Sequence, residues 1–140
     1  MKITTFSLIL LLFVASCSQK TENIPQAKTA AQKSAELWLA LVDAGNYAES
    51  WKTAAKYFQT AVPQDQWEHT ISTVRGPLGD LVSRQLKSAQ YTKSLPDAPA
   101  GKYVVLQFDT TFANKKEAVE TVTPKLDSDG HWKVSGYYIK

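Results

Sequence analysis

The sequence holds one cysteine among 140 residues, which excludes an internal disulfide framework and any cysteine-cluster metal site. Histidine is nearly as scarce, with two. His69 sits beside Glu68, off the apolar stripe of its helix, and reads as an exposed helix residue; His131 follows Asp129 and Gly130 and reads as a turn residue. A zinc site needs about four converging ligands, and the sequence places none together, so neither a metal nor a cofactor is implied. Charge of one sign is also missing: 16 Lys+Arg stand against 13 Asp+Glu, for a net charge of +3, with no basic stripe of the kind a nucleic-acid partner requires. There is no Gly-rich phosphate loop, no Gly-x-Ser-x-Gly elbow and no His-Glu-x-x-His. Asp127-Ser128-Asp129-Gly130 opens like a calcium loop but lacks the bidentate acid that closes one, so it reads as a hairpin turn. No apolar run approaches the roughly 20 residues needed to cross a bilayer core of about 30 Å.

What is present begins with an address. Met1-Lys2 is a basic start, and Phe6–Val14 is an apolar run interrupted by Ser7, the proportions of an export signal. It ends in Val14-Ala15-Ser16-Cys17, with small residues before the sole cysteine, and resembles a bacterial lipobox. That resemblance implies removal of residues 1–16 and attachment of lipid to Cys17; the plainer alternative is an ordinary signal cleaved near Ala15. One acyl chain anchors weakly, at about 0.8 kcal/mol per buried CH₂, whereas two or three on one residue hold a protein at a membrane. Ser18 stands where lipoproteins of the inner membrane usually carry Asp. The expectation is therefore a cell-envelope protein, at the periplasmic face of the outer membrane if the cell is Gram-negative. Residues 17–26 are polar, include Pro25 and show no apolar period, as expected of a tether, which leaves 27–140 as a single domain.

The whole chain is 44% hydrophobic, and about 40% remains once residues 1–16 are set aside, which suits a globular core. Ala27, Ala31, Ala35, Trp38 and Leu41 or Val42 recur at helical spacing, and Gly45 ends the helix. Asn46 with Glu49 predicts a capping box opening a second helix with the stripe Tyr47, Trp51, Ala54 or Ala55, Phe58 and Val62, while Lys52, Lys56 and Gln59 face away. Pro63 opens a third, with Trp67, Ile71, Val74 and Leu78 as its stripe and Arg75-Gly76-Pro77 as its stop. The period then shortens toward two. A strand over 83–92 alternates poorly. A clear one over 102–112 sets Val104, Leu106, Phe108 and Phe112 against Tyr103, Val105, Gln107 and Asp109. A third over 118–126 is frayed at Pro124, which prefers a sheet edge or strand end. The last, over 131–139, sets Trp132, Val134 and Tyr138 against Lys133, Ser135, Tyr137 and Ile139. The pattern predicts an α+β domain with three N-terminal helices packed on one face of a curved four-stranded antiparallel sheet. Three of the four Trp fall on helix stripes and Trp132 on the facing strand, which reads as core packing, the alternative being an aromatic ligand pocket.

The runs Trp38–Trp51, Arg75–Gly79, Tyr103–Phe108 and Trp132–Ile139 resemble the bacterial domain-of-unknown-function family 4019, a likeness that covers nearly the whole domain and implies no activity. Helices over an antiparallel sheet ending in Trp-x-Val-x-Gly-Tyr are also similar to the nuclear-transport-factor-2-like, or cystatin-like, cone-shaped folds. Such folds host isomerases, binding modules and dimerisation domains alike. Strand alternation would gather Tyr103, Gln107, Asp109 and Tyr137 on one face, a candidate pocket in which Asp109 with a Tyr could abstract a proton beside a carbonyl; a solvated outer face explains the same residues. Three readings follow: a non-catalytic module binding a small molecule or an envelope protein, a small enzyme with a pocket between helices and sheet, and a homodimerising scaffold.

Overall fold

The computed structural model describes residues 21–140; the export signal, Cys17 and the first part of the tether lie outside the described residues. The chain forms α1 (Ile24–Asp43), α2 (Tyr47–Thr53), α3 (Lys56–Ala61), α4 (Gln64–Arg75), a 3-10 turn (Gly76–Leu78), then β1 (Leu81–Thr92), β2 (Tyr103–Phe112), β3 (Lys115–Leu126) and β4 (Trp132–Ile139). The strands pair antiparallel in the order β1-β2-β3-β4. The class is α+β with a four-stranded meander, as the periodicity predicts, but the helices number four. α1 packs against all four strands, α3 against β4, and α2 bridges α1 and α4.

α1 starts at Ile24, ahead of the expected Ala27, because Asn23 caps it: its side chain accepts the Gln26 N–H at 3.1 Å, and Pro25 in the first turn has no N–H to leave unpaired. At the other end Gly45 adopts φ 75°, and the N–H groups of Gly45 and Asn46 donate to the carbonyls of Val42 and Leu41 at 3.0 and 2.9 Å, a Schellman closure that requires the left-handed conformation. Ala31 and Ala35 are fully buried, so the helix backbone approaches the sheet closely. Ser34 donates its hydroxyl to the Trp132 carbonyl at 2.6 Å.

The single helix expected from Asn46 to Val62 is broken. Ala54 and Ala55 are extended, with ψ of 164° and 147°, and the Ala55 N–H donates to the Val134 carbonyl at 2.8 Å. Sheet pairing thus overrides the helix preference of alanine, and the break covers part of the β4 edge that would otherwise be open to another chain. Gln59, expected to face away, turns back and donates to the carbonyls of Trp51 and Lys52 at 3.0 and 2.8 Å, which closes the end of α2. Asp127 accepts the Lys56 N–H at 3.0 Å, fastening the β3–β4 turn to α3. The expected capping box does not form: Asn46 precedes α2 without a side-chain cap bond.

Each ladder carries a bulge. β1 has one extra residue between Leu81 and Ser83 and another between Leu86 and Ser88, and β3 one opposite the Thr110–Phe112 step. β4 has one opposite Thr123, where Val122 pairs Tyr137 and Pro124 pairs Val134. A bulge reverses which alternate residues face inward. In β1 the inward set is Arg84 and Leu86 before the bulge, then Ala89 and Tyr91 after it, which is why the strand alternates poorly as a sequence. In β4 the inward set passes from Trp132 and Val134 to Tyr137, and Tyr138 is left exposed. The same bulge accommodates Pro124, which sits in an interior strand and not at an edge.

The core lies between α1 and the sheet and extends under α2–α4. Trp67 packs on Trp38 at 5.7 Å and edge-on to Phe58 at 5.0 Å. Both buried indoles meet Ser50: Trp38 donates to its carbonyl at 2.8 Å and Trp67 to its hydroxyl at 2.9 Å, so neither N–H is buried unpaired. Trp51 donates to the Val62 carbonyl at 2.7 Å.

Candidate functional site

The four residues singled out for a pocket are not brought together. Asp109 is exposed on the outer face of the sheet and pairs with Lys87 at 3.2 Å. Gln107 lies half-buried on the same face, accepting a long bond from Ser88 at 3.4 Å. Tyr103, six residues before Asp109 and hence about 20 Å away along an extended strand, is buried at the sheet end. Its hydroxyl donates to the Pro99 carbonyl at 2.6 Å, and burial raises its pKa. Tyr137 is on the opposite, inner face, put there by the β4 bulge. His69 and His131 are both exposed, and among the described residues no group of His, Cys, Asp and Glu could hold a metal ion.

The inner face contains what the outer face lacks. Four polar side chains meet there, one from each strand: Arg84 from β1, Thr110 from β2, Glu120 from β3 and Tyr137 from β4. Glu120 is fully buried. Its Oε2 accepts from Arg84 Nε at 2.5 Å and Thr110 Oγ1 at 2.7 Å, and its Oε1 accepts from Arg84 Nη2 at 3.1 Å and Tyr137 Oη at 2.5 Å. Arg84 reaches on to Asp43, the last residue of α1, donating from Nη1 at 2.7 Å and Nη2 at 3.0 Å. Arg75, the last residue of α4, pairs with the same carboxylate at 3.0 Å and lies over the Phe112 ring at 4.7 Å.

Two cations thus balance two anions, the arrangement that makes burial of charge tolerable. Arg75 at a helix C-terminus is well placed against the dipole, and Asp43, badly placed at one, is offset by both guanidiniums. Burial works against the Arg84 charge, but Asp43 and Glu120 outweigh it and leave its pKa above the ordinary value. Burial, then the Glu120 charge, raises that of Tyr137, which stays a neutral donor. Arg75 Nε and Nη1 find no hydrogen-bond partner among the described residues, and the Phe112 face is what the guanidinium rests on.

The acceptor side of this network is saturated. A carboxylate is acceptor-only, and four donors occupy Glu120, so it has no lone pair to offer as a base. No described cleft reaches it.

Open space lies elsewhere. A groove of about 500 Å³ runs between α1 and the start of β4, walled by Ala30, Leu37, Trp38, Leu41, Trp132 and Val134. It meets a second cleft of about 500 Å³ at Ala30, Gly130 and Trp132, which leads to Thr21. At that end Glu22 is held by Lys102 at 2.5 Å and Lys93 at 3.1 Å, and the hydrogen bond from Lys102 foremost draws its carboxyl pKa down to about 2. Leu37 is 65% exposed and Trp132 half-buried, so this tryptophan serves as groove wall as well as core.

A family model described as "Protein of unknown function (DUF4019)" matches residues 34–137. The chain belongs to the DUF4019 family. No curated protein matches it. The matched span holds all six residues of the charged network. Sequence reasoning singled out only Tyr137 and missed the other five, yet a signal was there in this DUF4019 domain: Arg75 continues the helical stripe Trp67–Ile71, and Glu120 falls between Ala118 and Val122 on the inward alternation of β3. A charge on an apolar stripe marks a buried partner elsewhere. Which partner it finds is set by the bulges.

Proposed function

We propose that this DUF4019 domain is a membrane-tethered, non-catalytic binding module of the cell envelope that holds its ligand in the groove between α1 and β4. The observation that carries the reading is the contrast in chemistry: an open apolar groove whose volume lies within the ordinary range of ligand sites beside an interior whose carboxylate Glu120 is saturated by structural donors. The tether rests on the lipobox-like Val14-Ala15-Ser16-Cys17. Four bulges, each bending its strand, support a curved sheet like that of the nuclear-transport-factor-2-like folds, with helices gathered over one face. Among the described residues no helix is long and apolar enough to cross a membrane, which is compatible with attachment through lipid.

Two measurements test the proposal. A fatty-acid probe fed to cells should label the wild type and not Cys17→Ser, and equal labelling refutes the anchor. A neutral solvatochromic dye should bind the domain saturably, with binding weakened by Leu37→Glu and unchanged by Asp109→Asn. Dye binding indifferent to Leu37→Glu refutes the groove.

A further inference from the structure

We infer that the groove takes a single-chain anionic amphiphile of the fatty-acid class; this rests on the reading of the groove as the binding site. Its polar inventory leads there. Besides the indoles of Trp38, whose N–H is spent on the Ser50 carbonyl at 2.8 Å, and Trp132, four side chains with polar or ionisable groups line it: Lys33, Ser34, Thr53 and His131. Ser34 spends its hydroxyl proton on the Trp132 carbonyl at 2.6 Å, and Thr53 spends its own on the Glu49 carbonyl at 2.9 Å. The donors left for a ligand are the Lys33 ammonium and the His131 ring, both exposed, and the N–H of the half-buried Trp132 indole. Among the described residues no acidic side chain lines this groove. The acids nearest to Lys33 and His131 in sequence are engaged: Asp129 accepts the His131 backbone N–H at 3.0 Å and the Lys133 ammonium at 2.6 Å, and Glu36 accepts from Gln32 at 2.8 Å.

The rest of the lining is hydrocarbon and indole. From Lys33 to Leu41 the α1 wall runs about 12 Å at a helical rise of about 1.5 Å per residue, and Leu37 lies exposed midway along it. A cationic rim and an apolar trough match a ligand with one anionic head and one extended apolar tail. A polar metabolite would leave the trough dry and unmatched, and a neutral hydrocarbon would leave Lys33 without a partner. A carboxylate at Lys33 and His131 with its chain along Leu37, Trp38 and Leu41 satisfies both.

The probe is an ω-brominated medium-chain fatty acid, whose bromine quenches tryptophan on contact, with the corresponding ω-brominated alcohol as the neutral comparison. The protein is the full chain carrying Cys17→Ser, so that no attached acyl group competes. Expected is saturable quenching by the acid below its micellar concentration, reduced in amplitude by Trp132→Phe. Leu37→Glu should weaken the acid about tenfold, the loss of one buried leucine contact. Lys33→Glu should weaken it about fivefold while leaving the alcohol unchanged. Both substitutions are at exposed positions and leave the core intact, which circular dichroism verifies. Equal affinity for acid and alcohol, or an acid affinity untouched by Lys33→Glu, overturns the anionic class and leaves the groove reading standing. Absence of saturable quenching by either compound overturns the groove reading with it.

Discussion

Inside the sheet, Glu120 has four donors on two oxygens and Arg84 grips two carboxylates at once; along the α1–β4 groove, the Lys33 ammonium and the His131 ring line open space bounded by leucine and tryptophan. Both regions combine polar and apolar groups, yet they differ in what is left over. The interior network has its acceptors filled, and among the described residues none of its carboxylates or guanidiniums lines a cleft, so its groups hold the strands and the ends of α1 and α4 together. The groove has apolar area and donors, the Lys33 ammonium among them, still unmatched. Perturbed ionisation is often a pointer to active sites. Here Arg84 and Tyr137, shifted by burial and by their partners, are committed to structure.

The largest expected effect comes from breaking the interior. Glu120→Ala leaves Arg84 buried with half its partners gone and should cost about 3–5 kcal/mol in urea unfolding; a cost under about 1 kcal/mol would mean that the network does not organise the fold. Tyr137→Phe removes one donor to a charged acceptor and should cost about 1.5–3 kcal/mol. It also has a pH signature. Because the Tyr137 pKa is raised, the folded chain retains a proton that the unfolded chain releases from about pH 10 upward, so its contribution is complete below that and stability falls as pH rises. The alkaline limb should flatten in Tyr137→Phe, and an unchanged limb would show that Tyr137 is not held by Glu120.

Substitutions on the open side should cost little stability. Leu37→Glu is expected to move unfolding by no more than about 0.5 kcal/mol while abolishing most dye binding, the reverse of the Glu120 pattern. Asp109→Asn should change neither stability, within about 0.5 kcal/mol, nor binding. A marked effect there would return the outer sheet face to consideration as a site and blur the contrast between interior and groove.

How much of this was legible follows from the period of each element. β2 runs unbulged from Tyr103 to Thr110 against β3, and its alternation reads correctly, Val104, Leu106 and Phe108 inward and Asp109 outward. β1 and β4 do not, because an extra residue inserted in either shifts the inward set by one; nothing in Lys87-Ser88 announces it, and Gly136, a glycine within a strand, is the only local mark of the bulge in β4. The misplacement of Tyr137 follows from that single residue. Likewise Ala54-Ala55 carries a helical propensity that only its bond to Val134 overrides, and Gln59 looks like a solvated residue until the break gives it carbonyls to cap.

By itself the sequence determined what depends on neighbours in the chain: the order of helices and strands, the Gly45 stop, the turn at Asp127–Gly130, the aromatic core and the signal-like start before Cys17. Tertiary structure decided where a strand must bend to follow α1, which side chains that bend turns inward, and so which charges meet. Local patterns report propensity and period. Whether a polar group ends in a closed network or at an open groove depends on partners tens of residues away, as with Arg84 and Glu120, 36 positions apart in the chain.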